Sequence, residues 1–587
     1  MTAPSDCRRV SAGRSANGGL RLSGAALLLV LFGSTLAYCV QSAGGIRLLD
    51  VRFAGTGGAP MSALLYIPRN ATAKTPAPGI LAVHGYFNSR EAQDGFAIEL
   101  ARRGFVVLAL DQPGHGFSAP PAFANHFGGP DGLAYLRSLD VVDNTNIGLE
   151  GHSMGGWAVV NAAAAYPHGY RAVVLEGSST GAPFAPEGTP AFPRNLAVVY
   201  SRLDEFSQTM WGVETAAEVT QSRKLWRVFG TDGVIVPDRV YGDVANGTAR
   251  VLFTPPGTHP MDHISPAAIG DAIDWFQRTL HGGTPKPAAD QIWYWKEIGT
   301  LIALAGFVAL LLGVFDFILT LPYFAPLAAA PAPCGLARDG RWWLTFLLGT
   351  TLPVITLLPF FGLGGRLLPA SHWLPQAFTN ELVTWAVLNA LLLIALSLLP
   401  TRFSTTNASP AARTLQPRRA MLAALWTIGI GYLVAVAAEF FFKIDFRIWF
   451  IAVRPMSLWQ MRAFLIYLLP ITFYFVIALR ALHGRLAVRS DSVSAQYLCN
   501  IAALVAGMVA FLAIEYGSLA ADHHLLTLQP TDALRVIIAI NFVPLLSIAA
   551  VISTFAYRRT GSTLPGALIC GLLVTWYVVV NQATQAT

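Results

Sequence analysis

Apolar and polar positions alternate differently in the two halves of this chain. From about Ile46 to Trp295, apolar residues come in short runs broken by charges, glycine and proline, the pattern of an ordinary globular domain. From Ile298 onward, apolar runs of ~20 residues recur, each long enough to cross a hydrocarbon core. These runs are Ile298 to Leu321, Trp342 to Gly364, Leu382 to Leu399, Ala420 to Phe442, Ala463 to Leu479, Tyr497 to Ser518, Val536 to Ala556 and Leu564 to Val580. A further run, Leu22 to Val40, follows Arg8, Arg9, Arg14 and Arg21 and has the form of a signal sequence or an uncleaved signal anchor. The expected division is an anchor over 1–41, a globular domain over 42–284, a linker over 285–297, and a membrane domain of about eight helices over 298–587.

Within the globular half, period and turn signals predict strands near Ile46 to Arg52, Met61 to Ile67, Gly79 to His84, Phe105 to Leu110, Asn146 to Glu150, Arg171 to Leu175, Lys224 to Phe229 and Arg250 to Phe253. Helical patterns fall between several of them, notably Ala92 to Arg103 and Ala267 to Thr279. Such alternation implies a mostly parallel sheet covered on both faces, with ligands gathering at the carboxyl ends of the strands. The segment 178–223 carries Pro183, Pro186, Pro190 and Pro193. It reads either as a cap, with Phe184, Phe192 and Phe206 lining a pocket, or as a surface excursion.

Composition sharpens this division. The 587 residues are 54% hydrophobic and only 12% charged, and the net charge of +7 comes from arginines in short loops between the apolar runs. Such placement reports membrane orientation rather than a nucleic-acid surface. If the N-terminus is cytoplasmic, inside loops hold Arg338, Arg341, Arg402, Arg413, Arg418, Arg419, Arg480, Arg485, Arg489, Arg558 and Arg559. Outside loops hold Arg366, Lys443, Arg447, Arg454, Arg462 and Arg535. That bias places the globular domain on the extracytoplasmic side of a cell (inner) membrane. The weak point is Lys443 to Arg462, where 446–450 reads as a possible interfacial segment. The five cysteines, Cys7, Cys39, Cys334, Cys499 and Cys570, all avoid the globular stretch, which excludes a disulfide framework there.

Chemistry concentrates at four strand ends in fixed order. His84-Gly85-Tyr86 follows the third expected strand and Asp111-Gln112-Pro113-Gly114-His115-Gly116 the fourth. Gly151-His152-Ser153-Met154-Gly155 follows the fifth, and Gly257-Thr258-His259 the last. A serine between glycines at a strand-to-helix turn stands clear of the backbone and can act as a nucleophile. This set resembles the α/β-hydrolase fold family in its esterase, lipase and serine-peptidase branch, over roughly Ile46 to Leu280. The fold class so implied is α/β hydrolase, joined to an all-α multi-span transmembrane domain.

The resemblance implies a Ser-acid-His order along the chain. Ser153 is the expected nucleophile and His259 the base, with His263 as an alternative. Asp232, at the end of the expected strand 224–229, is the expected acid, with Asp238 as its alternative. The family usually places the acid one residue further on, where Gly233 stands. Backbone N–H groups of Tyr86 and Met154 are the expected oxyanion donors. His84, His115 and Asp111 read as structural. Asp316, Glu439 and Glu515, in or near apolar runs, raise a transport or relay role beside simple interhelical bonding. The reading is a membrane-anchored serine hydrolase of esters, thioesters or amides. The open alternatives are a membrane acyltransferase and a transporter or scaffold with a binding domain only. Expected partners are the lipid bilayer and a small-molecule or lipid-like acyl substrate, with no nucleic acid, no cofactor and no metal. The sequence leaves the oligomeric state undetermined.

Overall fold

The computed structural model describes residues 16–330, 338–398, 416–486, 488, 491–527 and 532–586. Arg8, Arg9, Arg14, Arg402, Arg413 and Arg489, invoked above for topology, lie outside the described residues, as do Cys7 and Cys334.

The globular half is built on an eight-stranded sheet in the order β1-β2-β4-β3-β5-β6-β7-β8. Its strands are β1 (Arg47–Ala54), β2 (Pro60–Ile67), β3 (Ala77–Val83), β4 (Val106–Asp111), β5 (Val142–His152), β6 (Ala172–Glu176), β7 (Leu196–Val199) and β8 (Arg250–Phe253). β2 runs antiparallel to both β1 and β4, and every other pairing is parallel. The middle strands are buried on both faces, as a sheet covered on both sides requires.

The helices that follow in the chain are α1 (Ala16–Gln41), α2 (Asp94–Arg102), α3 (Gly129–Arg137), α4 (Met154–Ala165), α5 (Arg223–Phe229), α6 (Pro266–Thr279), α7 (Trp293–Ile318), α8 (Gly340–Ile355), α9 (Leu357–Leu367), α10 (Ala377–Leu398), α11 (Pro417–Phe442), α12 (Leu458–Arg485), α13 (Val493–Asp522), α14 (Asp532–Thr560) and α15 (Leu564–Asn581). α3, α4 and α5 share a core with one face of the sheet, while α2 and α6 share a core with the other.

One expected strand is a helix. Residues 224–229 form α5, whose buried side chains are Leu225, Val228 and Phe229, at helical spacing, and Ser222 caps it by accepting from the Leu225 N–H. The seventh strand of the sheet is instead the apolar run Leu196–Val199, inside the segment read as a cap or excursion. That segment is therefore not a single cap or excursion, since it returns to the sheet in its middle.

Among the described residues, eight helices are long and apolar enough to cross a membrane, or nine if α8 and α9, bent by 42° at their junction, form one span. α1 packs along α7 with backbones in contact. A Cβ on Gly33 would stand 2.4 Å from the Gly299 carbonyl oxygen, and one on Gly299 would stand 2.7 Å from that of Gly33. Gly306 meets the backbone N of Val30 at 2.8 Å and Gly313 that of Ser23 at 2.7 Å by the same measure, so small residues let the helices close together.

Asp316, Glu439 and Glu515, the acidic residues in or near the apolar runs singled out above, have partners. Asp316 pairs with Arg559 at 3.0 Å, Glu439 with Arg90 at 3.5 Å, and Glu515 accepts the Leu526 N–H at 2.8 Å.

The two halves are joined at many points. Glu99 on α2 accepts the N–H groups of Ile292 and Trp293 at 2.6 and 3.0 Å, capping α7 from the globular side. Lys296 on α7 is ion-paired with Asp94, both buried. Residues 446–450 belong to a hairpin of β9 (Phe446–Ile448) and β10 (Ile451–Val453). It rests on the globular half, with Trp449 Nε1 donating to the Pro260 carbonyl at 3.0 Å.

Candidate active site

β5 runs directly into Ser153, which takes φ 53° and ψ −120°, and α4 starts at the next residue. A left-handed serine is costly and persists only where its surroundings fix it. The Ser153 N–H donates to the Glu176 carbonyl at 2.8 Å, and the Ser153 carbonyl accepts the Ser178 hydroxyl at 2.6 Å. The flanking glycines are needed for close approach: a Cβ on Gly155 would lie 2.0 Å from the Val83 carbonyl oxygen, and one on Gly151 would lie 2.3 Å from that of Gly155.

The turn after β3 abuts this elbow, since a Cβ on Gly85 would stand 3.3 Å from that of Ser153. Tyr86, Ser153 and Met154 line one cavity. His84 and His115 pin the turn, as the sequence suggests. His84 Nε2 accepts the Gln112 N–H at 3.2 Å, and His115 Nε2 lies 2.8 Å from the Tyr86 carbonyl. Burial pushes the His115 imidazole down to about 4, so it stays neutral in that position.

His259 follows β8 at the start of a short 3-10 turn. Its Nδ1 meets Asp204 Oδ2 at 2.8 Å, with both side chains buried. Asp204 is fixed in turn, because its Oδ1 accepts the Tyr200 hydroxyl at 3.0 Å and the Phe206 N–H at 2.8 Å. The His259 N–H donates to Glu205 Oε2 at 2.7 Å. Burial alone would lower the His259 pKa. The Asp204 charge and hydrogen bond, followed by the charges of Glu205 and Asp262, outweigh it and leave the ring raised above its usual value. Glu205 is pushed up to about 7 by burial and then by the neighbouring Asp204.

The carboxylate facing His259 is therefore Asp204, and Asp232 is not placed for that role. Asp232 stands exposed in the turn after α5, because the strand expected to present it is a helix. Asp238 is also exposed, at φ 65°, with its N–H held by the Leu252 carbonyl at 2.8 Å. His263 packs against the ring of His152, with centroids 4.0 Å apart. Burial and then the His259 charge hold it down to about 3. Asp204 lies beyond the apolar run Leu196 to Tyr200, in the loop that leaves β7, and only the recognition of that run as a strand would have singled it out.

Ser153 and His259 both line a cavity of about 510 Å³ at this end of the sheet. Phe184 and Phe206 from the segment 178–223 line it too, whereas Phe192 packs in the core beside α5. The opposite wall comes from the apolar half: Phe378 and Glu381 of α10, Phe450 of the hairpin, and Leu534, Arg535 and Asn541 of α14. Sequence patterning gave no hint of that wall, which joins residues hundreds of positions apart.

A family description for the alpha/beta hydrolase fold matches residues 78–224. The chain carries an α/β-hydrolase domain fused to a helical domain. A Mycobacterium phage D29 protein named as a non-heme haloperoxidase is 36% identical over 111 residues, which are 19% of this chain and 39% of that protein's length. An esterase of Pyrococcus furiosus aligns over 40% of this chain and 92% of its own at 15% identity, with a TM-score of 0.31. An epoxide hydrolase from an endophytic Streptomyces aligns over 24% of this chain and 39% of its own at 23% identity, with a TM-score of 0.19.

Proposed function

We propose that this α/β-hydrolase domain is a serine hydrolase acting on an ester, thioester or amide, with Ser153, His259 and Asp204 as its triad. The observation that carries the reading is the 2.8 Å contact of Asp204 with His259, which lines the same cavity as the left-handed Ser153. Asp204 holds His259 Nδ1 as the donor, which leaves Nε2 as the acceptor for the Ser153 hydroxyl proton. As that proton moves to Nε2, Oγ attacks the carbonyl carbon, and the oxyanion is held by the Met154 and Tyr86 N–H groups. His259 then returns the proton to the leaving group, giving an acyl-enzyme. Water, deprotonated by the same nitrogen, releases the acid and frees Ser153.

We further propose that the chain is a multi-pass protein of the cell (inner) membrane with this domain on the extracytoplasmic side. Two features support that side. The inside loops expected from the sequence are richer in arginine, and Arg90, Asp94 and Glu99 of the hydrolase domain bind helix ends expected to face outward.

The test is labelling of detergent-solubilised protein by a fluorophosphonate, with turnover of a short-chain aryl ester measured alongside. Wild type should label at Ser153, and Ser153→Ala should lose the label and lower kcat by about a thousandfold or more. A Ser153→Ala variant that labels and turns over like wild type would overturn the proposal.

A further inference from the structure

The cavity that holds Ser153 does not end at the helical domain. A second cavity begins where it stops, and Phe87, Phe378 and Asn541 line both. A third, of about 370 Å³, meets the second at Trp385, Tyr474 and Leu546. Protein interiors hold few voids larger than a water molecule, and empty space costs stability. Three neighbouring cavities that share wall residues, the middle one of about 60 Å³, lead from Ser153 into a helix bundle and therefore call for an occupant.

Their chemistry selects it. The second cavity is walled mainly by aromatic and aliphatic side chains, among them Phe361, Leu382, Ala386 and Leu545. The charged residues of the helical domain at the entrance are already matched, because Arg535 donates to Glu381 at 3.0 and 3.1 Å and to Asp532 at 2.7 Å. Among the described residues at this entrance no uncompensated cation waits for a phosphate or carboxylate, Arg341 and Arg485 standing only in the wall of the third cavity, and an apolar passage suits an uncharged alkyl chain.

We infer that the helical domain supplies the acyl-chain site of this hydrolase. The substrate is a long-chain acyl ester whose carbonyl sits at Ser153 and whose chain passes Phe378 into the second and third cavities. The inference rests on the serine-hydrolase reading and adds to it a substrate class and a role for the helices.

The test uses the full-length protein in detergent, with butyrate and palmitate esters of one phenol. Ala386→Trp, which fills the second cavity, should lower the palmitate-to-butyrate ratio of kcat/KM by about tenfold or more. Phe378→Ala, which widens the passage and leaves the fold less burdened, should raise that ratio. A palmitoyl ester with a diazirine at its chain end should crosslink to helices α10, α12 or α14 around Trp385, Tyr474 and Leu546. Unchanged ratios in both variants, with crosslinks confined to the hydrolase domain, would overturn the inference. Crosslinks at Trp385 without cleavage of either ester would instead retain the chain site and refute the triad.

Discussion

At the scale of single residues, the proposed base and nucleophile stand out in the sequence because each sits in its own local motif. Ser153 needs only its neighbouring glycines and His259 only the turn after β8, and both lie within a few positions of their signals. The acid is different. Which carboxylate reaches the histidine depends on which strand lies beside β8, and sheet order is a property of the whole domain. Asp204→Asn should lower kcat by about a thousandfold or more, whereas Asp232→Asn should stay within about twofold of wild type. Ester turnover of the two variants checks this directly. A pH profile gives a second check. His259 must be neutral to take a proton, and its pKa is raised, chiefly by Asp204 against the opposing effect of burial. Activity should therefore fall as pH drops through a midpoint above the ordinary histidine value of ~6.5. A midpoint at or below that value would contradict the buried ion pair.

At the scale of elements, the misplaced strand shows what a short apolar run can hide. Leu225, Val228 and Phe229 have helical spacing, yet six residues give too few repeats to separate that from a buried strand. Leu196–Val199 is shorter still and lay among prolines that suggested an excursion. The long runs were read correctly because some twenty apolar residues allow little else. Their ends moved, α7 beginning at Trp293, where Glu99 caps it, rather than at Ile298, and the run Trp342 to Gly364 is divided between α8 and α9. The pairing of α1 with α7 gives an element-scale prediction. Gly299→Leu drives a side chain into the Gly33 carbonyl, whereas Gly24 has open space around it. Gly299→Leu should cost about 3 kcal/mol or more and reduce the yield of monodisperse protein, while Gly24→Leu should leave that yield unchanged. Size-exclusion profiles in one detergent would compare them.

At the scale of the whole molecule, the hydrolase domain and the helices share one site. Tyr516 of α13 donates to Glu205 Oε1 at 3.0 Å, and the other oxygen of that carboxylate holds the His259 backbone. The hairpin reaches the same loop through Trp449 and Pro260. Arginine counting could indicate which side the domain faces but not that it would be clasped in this way, since such contacts depend on tertiary packing. A membrane-impermeant fluorophosphonate should label Ser153 in right-side-out vesicles and fail to do so in sealed inverted ones. Equal labelling of both would refute the proposed orientation.

Thr584, far along the chain, exchanges main-chain hydrogen bonds with Gly114 and Ala122 at 2.9 and 2.8 Å. The loop it secures belongs to the globular half and the strap follows α15, so main chain as well as side chains stitches the two halves together. Side-chain changes at Thr584 leave such a stitch in place, and only proline there would remove its donor.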